Sequence, residues 1–210
     1  MILDYFNQVS SYTDTFRLYK RISEQYENQR ILDSIKQLVL DKVSSFNDPS
    51  LKPILHWFKN DFMKWMPKEL PCTSCNNSDN HSPMRIQVIE GDSKTLRKTE
   101  IHTCDKCGSS VIFPRYVDVL KIAETRIGRC SEWTFLFGAI LNSLSIQTRI
   151  VQDYLDHCWN ESLINKKWVH IDSTLDYPIS FNHPHYYEQN WGKKIRVCFG
   201  ILCQWSGRCY

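Results

Sequence analysis

The chain has 210 residues, of which 42% are hydrophobic and 23% charged, enough for one sizeable core but not for a second full-sized domain. Its 26 basic and 23 acidic residues are intermixed and leave a formal net charge of +3, which argues against a polyphosphate partner such as nucleic acid. The first residues lack a basic leader with a secretory apolar core, and no apolar run reaches membrane-spanning length. A cytoplasmic or nuclear protein without membrane insertion is therefore expected.

Residues 12–66 read as helical. Ile31, Leu32, Ile35, Leu38 and Val39 fall on one face, as do Ile54, Leu55, Phe58, Phe62 and Trp65, and Asn47-Asp48-Pro49-Ser50 separates the two stretches. Core-facing helices packed on the main body are the expected outcome, in preference to a partner-docking surface.

Two matched pairs follow, Cys72-Thr-Ser-Cys75 and Cys104-Asp-Lys-Cys107. Each C-x-x-C can turn two thiolates onto one ion, and two pairs supply the four sulfurs that a structural zinc prefers. Between them Arg85–Ile89 and Thr99–Thr103 alternate apolar and polar residues around the turn signal Gly91-Asp92. A hairpin would thus return the second pair to the first across the 28-residue spacer. Nine cysteines, an odd count, suit a metal and free thiols in a reducing compartment; two disulfides or unliganded thiols are the alternatives. The Asn-x-Ser triplets at Asn76, Asn80 and Asn160 would then be unglycosylated.

Cys130 stands alone in Gly128-Arg-Cys-Ser-Glu-Trp133. From it Trp133, Phe137, Ile140, Leu141 and Leu144 recur at helical spacing, so the thiol should lie at a helix N-terminus, where the dipole and unpaired N–H groups favour thiolate. A core cysteine is the competing reading. Downstream, Leu155–Glu161 and Lys167–Asp172 read as antiparallel strands joined by Leu163-Ile-Asn-Lys166. Alternation places His157, Trp159 and Glu161 on one face of the first, and Trp168, His170 and Asp172 on one face of the second. Facing the same way, they would bring an imidazole and a carboxylate to the helix end that bears Cys130, in the order nucleophile, base, orienter. His170 competes as the base but reads as an accessory, and Cys158 should point into the core.

At these residues the chain resembles the cytoplasmic peptide:N-glycanases, the deglycosylating branch of the transglutaminase-like superfamily. The likeness runs from about Leu70 to Gly200. It is carried by the paired cysteines, Phe113-Pro-Arg-Tyr116, Glu124-Thr-Arg126, Gly128–Trp133, Asp156-His-Cys-Trp-Asn-Glu161, Trp168-Val-His-Ile-Asp172 and Trp191-Gly-Lys-Lys194. The resemblance implies Cys130 as nucleophile, His157 as general base and acid, Asp172 as the group orienting the imidazole, and Arg149, Trp159, Glu161 and Trp168 as residues lining or bracing the site. It also implies an α+β fold with a transglutaminase-like, papain-type core. Residues 1–70 would form the N-terminal helical part, 71–110 a module holding one zinc ion, and 111–210 the catalytic core.

Denatured N-glycoproteins are the substrates the resemblance implies, and it raises a ubiquitin-shuttle or proteasome-linked protein as partner of the helical region. Two positions depart from the family pattern. Ser131 follows the nucleophile where glycine is favoured, and Ser173-Thr174 follows Asp172 where a Pro-Cys pair is common. A transglutaminase or cysteine protease using the same thiol is the alternative among enzymes, and a DNA-repair type scaffold the alternative outside them.

Overall fold

The computed structural model describes residues 2–48, 50–75, 84–92, 94–195, 198–201, 203–204 and 208–209. In chain order the helical region comprises α1 (Ile2–Gln25), α2 (Gln29–Ser44) and α3 (Lys52–Trp57), the last running into a π-helical turn at Phe58–Phe62. Then come β1 (Lys64–Trp65), β2 (Arg85–Glu90), β3 (Leu96–Thr103), β4 (Ser110–Tyr116), α4 (Val119–Thr125), β5 (Ile127–Gly128) and α5 (Cys130–Ser143). The remainder is β6 (Thr148–Asp153), β7 (Cys158–Ile164), β8 (Lys167–Ile171), α6 (Tyr186–Trp191), β9 (Cys198–Ile201), β10 (Cys203–Gln204) and β11 (Arg208–Cys209). The architecture is α+β, and among the described residues no helix is long and apolar enough to cross a membrane.

Asn28 starts α2, its side-chain oxygen accepting from the backbone N–H groups of Arg30 and Ile31 at 3.1 and 3.4 Å. Ile35 and Val39 are fully buried, but Leu38, expected on the same face, is 45% exposed. At about 100° per residue Leu38 sits on the flank of the stripe centred on Ile35 and Val39, and that stripe is narrow. Trp65 also departs from expectation. The helical run ends where Met63 turns extended, and Lys64 and Met66 donate their N–H groups to Arg126 and Gly128 carbonyls at 2.7 and 2.9 Å. Trp65 therefore lies on a strand, 51% exposed, beside β5 and the start of α5.

Strands β2, β3 and β4 form an antiparallel sheet in that order; the expected hairpin is its first half, and β4 is a third strand that simple alternation had not marked. Its turn is held by Asp92, whose Oδ1 accepts from the N–H groups of Lys94, Thr95 and Leu96 at 2.8, 2.9 and 3.0 Å.

The second sheet has the order β8-β7-β6-β9, all antiparallel. Its β7–β8 hairpin turns on Asn165 and Lys166, both at positive φ, 50° and 65°, as a two-residue hairpin with the right-handed strand twist requires. Helix α5 packs on this sheet and is buried from Ser131 to Leu141, so it is a core helix rather than a half-exposed one. Phe135, Leu136, Phe137, Ile140 and Leu141 on the helix meet Ile150 from the sheet and Ile22, Ile35 and Ile122 from the surrounding helices in one core. Asn160 is fully buried in that sheet, which closes its triplet to modification, while the Asn76 and Asn80 triplets lie outside the described residues.

Candidate active site

Cys130 is the first residue of α5, and a buried charge network holds it there. The N–H of Arg129, the N-cap, donates to Glu132 Oε2 at 2.9 Å, and Arg115 grips the same carboxylate through Nε at 2.6 Å and Nη2 at 3.0 Å. Arg115 also donates to Ser131 Oγ at 2.9 Å and to Glu100 Oε1 at 3.3 Å, while Arg129 forks onto Glu100 at 2.9 and 2.8 Å. Two guanidinium groups thus neutralise two buried carboxylates, and the pairs hold Glu100 well below the usual carboxylate range against the effect of burial, at about 2. Gly128 permits the tight entry to the helix, since a Cβ there would lie 2.3 Å from Glu132 Cβ. Ser131, one of the departures from the family pattern, is an acceptor in this network.

His157 lies in the turn between β6 and β7, not on a strand as alternation had placed it. Asp153 fixes the turn: its Oδ1 accepts from the N–H groups of Leu155, Asp156 and His157 at 3.0, 2.8 and 2.8 Å. The Lys193 ammonium donates to Asp153 Oδ2 at 2.8 Å and to Asp156 Oδ1 at 2.6 Å. Asp172 follows the last residue of β8 and is fully buried.

The β7–β8 register pairs Glu161 with His170, so the faces that carry His157 and Asp172 do coincide. His157 Nε2 donates to Asp172 Oδ2 at 2.7 Å, which leaves Nδ1 for a second partner; Cys130, on the same cleft, donates through Sγ to the Asp156 carbonyl oxygen at 3.8 Å, and the thiol and the ring influence each other's charge. Thr174, at the second departure from the family pattern, donates through N and Oγ1 to Asp172 Oδ1 at 2.9 and 2.7 Å.

The electrostatics favour a thiolate–imidazolium pair. The Cys130 thiol is pulled down to about 5, first by the hydrogen bond from Cys158 and then, against burial, by His157. Burial disfavours the His157 cation, but Asp172 and Cys130 more than offset it and raise the imidazole to about 9. Asp172 is held at about 2 despite burial, chiefly by the hydrogen bond from His157. Cys158 is buried on the α5 side as expected, with Thr134 Oγ1 3.6 Å from its sulfur, yet it also reaches Cys130. His170 is not a second base: burial lowers it to about 4, and its Nε2 lies 2.8 Å from Tyr187 Oη.

The four supporting residues stand behind this line. Arg149 donates to Glu161 Oε2 at 3.0 and 2.6 Å, and its guanidinium lies 4.2 Å above the Trp168 ring. Trp159 is buried against the rings of His157, His170 and Tyr187. None of the four lines the cleft described below; they brace the sheet.

Sequence reasoning missed Tyr187, Asp153, Glu100 and the pairing role of Arg115. For Arg115 a signal existed, since it belongs to the Phe113–Tyr116 motif. For Tyr187 it was only proximity to Trp191-Gly-Lys-Lys194.

The sulfurs of Cys72, Cys75, Cys104 and Cys107 all lie within 4.8 Å of one another, with Cys72–Cys107 at 3.6 Å and Cys75–Cys104 at 3.9 Å. A tetrahedral thiolate site with bonds of about 2.3 Å has edges of about 3.8 Å, so the set fits a metal ion. Gly108, at φ +72°, closes the second knuckle, its N–H donating to Cys104 O at 2.8 Å, and Ser109 Oγ lies 3.3 and 3.0 Å from the sulfurs of Cys72 and Cys107.

A cleft of about 860 Å³ opens over Cys130 and His157 between the two sheets, with Trp65, Ile86, Val88 and Trp191 on its walls. Cys130 at the start of α5 and His157 share this cleft, with Asp172 behind the imidazole. Residues 87–173 of the chain match the family model of the transglutaminase-like superfamily.

Its relatives are more particular. The chain is 32% identical to a Candida glabrata protein over 95% of its own length and 58% of the relative's, and 40% identical to one from Saccharomyces cerevisiae over 74% and 44%. A Caenorhabditis elegans protein is 35% identical over 71% of this chain and 25% of its own. All three are named peptide-N(4)-(N-acetyl-beta-glucosaminyl)asparagine amidase. The chain spans about half the length of the two yeast relatives.

Proposed function

We propose that the chain hydrolyses the amide joining an asparagine side chain to the first N-acetylglucosamine of an N-glycan on denatured glycoproteins. The observation that carries this is the line Cys130–His157–Asp172 at the base of an open cleft; the names of the relatives direct it to the glycan-bearing amide. The Cys130 thiolate adds to the carboxamide carbon, and backbone N–H groups at the start of α5 face the developing oxyanion. His157 then gives its proton to the departing glycosylamine, because an unprotonated amine leaves poorly. The glycosylamine departs and a thioester to Cys130 remains. Water, deprotonated by His157, attacks the thioester carbonyl, releasing aspartate and restoring the thiol. The freed glycosylamine loses ammonia in solution.

Zinc is the metal we assign to Cys72, Cys75, Cys104 and Cys107. Four thiolates complete its tetrahedral sphere, so the ion braces the β2–β4 sheet, which Glu100 joins to the nucleophile. An odd number of cysteines with two C-x-x-C pairs suits a reducing compartment, the cytoplasm.

The test is mass measurement on a denatured glycoprotein. Conversion of Asn to Asp with release of intact glycan, abolished by Cys130→Ala, is the expected result. Activity in that variant, cleaved backbone, or a glutamine crosslink would overturn the proposal.

A further inference from the structure

The site contains a hydrogen-bonded line that the mechanism above does not use. Asp172 Oδ2 accepts from His157 Nε2 at 2.7 Å and also from Tyr187 Oη at 2.7 Å, and the same hydroxyl lies 2.8 Å from His170 Nε2. A phenol has one proton. An ionised carboxylate can only accept, so that proton goes to Asp172 and the oxygen of Tyr187 accepts from His170. His170 is therefore the neutral tautomer with its hydrogen on Nε2, and its Nδ1 has no hydrogen-bond partner among the described residues. Burial, which lowers His170 to about 4, keeps it in that form through the working range. The line has one direction: His170 Nε2–H to Tyr187 O–H to Asp172.

We propose that Tyr187, held by His170, is a positioning residue that tempers the basicity of Asp172 so that His157 can release its proton to the leaving amine. The proposal rests on the amidase reading of the site. Two donors share Oδ2, so the negative charge that holds the His157 proton is partly satisfied by the phenol. Without that donor Asp172 would bind the imidazolium more strongly, and the general acid would be weaker. The other groups facing this line leave the assignment standing. Asp153 is engaged by Lys193, Cys158 is buried and, like Asp153, favours the protonated phenol of Tyr187, and His183 adds to the lowering of His170. The ring of Tyr187 packs on His157 at 4.9 Å and on Trp191 at 5.1 Å, contacts that phenylalanine would keep.

Tyr187→Phe separates hydroxyl from ring. Its kcat should fall roughly tenfold, a part of what general acid catalysis contributes, with KM unchanged. The alkaline inflection set by His157 should move to higher pH, and in the proton NMR spectrum the imidazole N–H shared with Asp172 should move downfield. The alkaline inflection can be read equally from alkylation of Cys130 by iodoacetamide, which needs no glycan. Failure of the amidase reading, seen with Cys130→Ala, is thereby distinguishable from failure of this one.

His170→Gln keeps a donor to the phenol and should retain most of the activity that His170→Leu loses, which carries the test even if Tyr187→Phe folds poorly. Unchanged kcat, inflection and resonance in Tyr187→Phe, or equal loss in the two His170 variants, would overturn the proposal.

Discussion

Glu100, in the middle strand of the three-stranded sheet, receives both terminal nitrogens of Arg129, the residue before Cys130, at 2.9 and 2.8 Å. The sheet that carries the four-cysteine site is therefore joined to the start of α5 by a forked ion pair, with Arg115 and Glu132 completing the network. A disturbance at the sulfurs has a direct physical route to Cys130.

Metal removal should thus lower both stability and thiol reactivity, because the binding free energy of a four-thiolate site is folding free energy. Scanning calorimetry before and after chelation, with metal content measured in parallel, should show a lower Tm. Alkylation of Cys130 should slow in the same sample. A stripped protein with unchanged Tm would rule the coupling out.

Breaking the network from within is the complementary experiment. Glu100→Gln leaves Arg129 short of a buried counter-charge, and loss of one partner of a buried pair costs about 3–5 kcal/mol. Denaturant unfolding should register a loss of that order, and a far smaller one when the exposed pair Lys121–Glu124 is broken.

The Cys130–His157 pair predicts a pH window. Cys130 titrates at about 5, so thiolate is present above that pH and lost as the pH falls through it; His157 titrates at about 9, so imidazolium is lost as the pH rises through that value. Iodoacetamide alkylation of Cys130 should have its acid midpoint near 5, and glycan release should fall above about 9. An acid midpoint at the ordinary thiol value would contradict the pairing.

Cys158 contributes more than core volume. The neighbouring Cys158 thiol is the leading influence lowering Cys130, so Cys158→Val, which keeps the bulk and removes the thiol, should move the alkylation midpoint up from about 5 toward the ordinary thiol value. The direction of the shift is the test; no shift would assign Cys158 to packing alone.

Asp153 is the anchor of the turn that carries His157. Asp153→Asn cannot accept three N–H groups and an ammonium as a carboxylate does, so kcat should fall by roughly tenfold or more as the imidazole loses its position. Lys193→Met, which removes one donor and leaves the three backbone bonds, should lose less. The ranking of the two by steady-state kinetics decides.

Much of this molecule is legible along the chain because local spacing carries it. The C-x-x-C pairs, the alternation of β2 and β3, the helical period after Cys130 and the shared face of His157 and Asp172 are properties of neighbours in sequence. Trp65 shows where spacing misleads: it fits a helical stripe, but backbone pairing with Gly128 draws it into a strand. His157 fits a strand, but the Asp153 carboxylate closes a turn around it.

The sequence by itself determined the parts list: a cysteine, a histidine and a carboxylate in that chain order, four cysteines at metal-ligand spacing, and an α+β frame. Tertiary structure alone decided which groups tune those parts. Arg115 reaches Glu132 across 17 positions, Cys158 reaches Cys130 across 28, and Tyr187 reaches Asp172 across 15, from elements whose packing no local period specifies. Buried polar groups must be paired, and which partner pairs them depends on how helices and sheets close on one another.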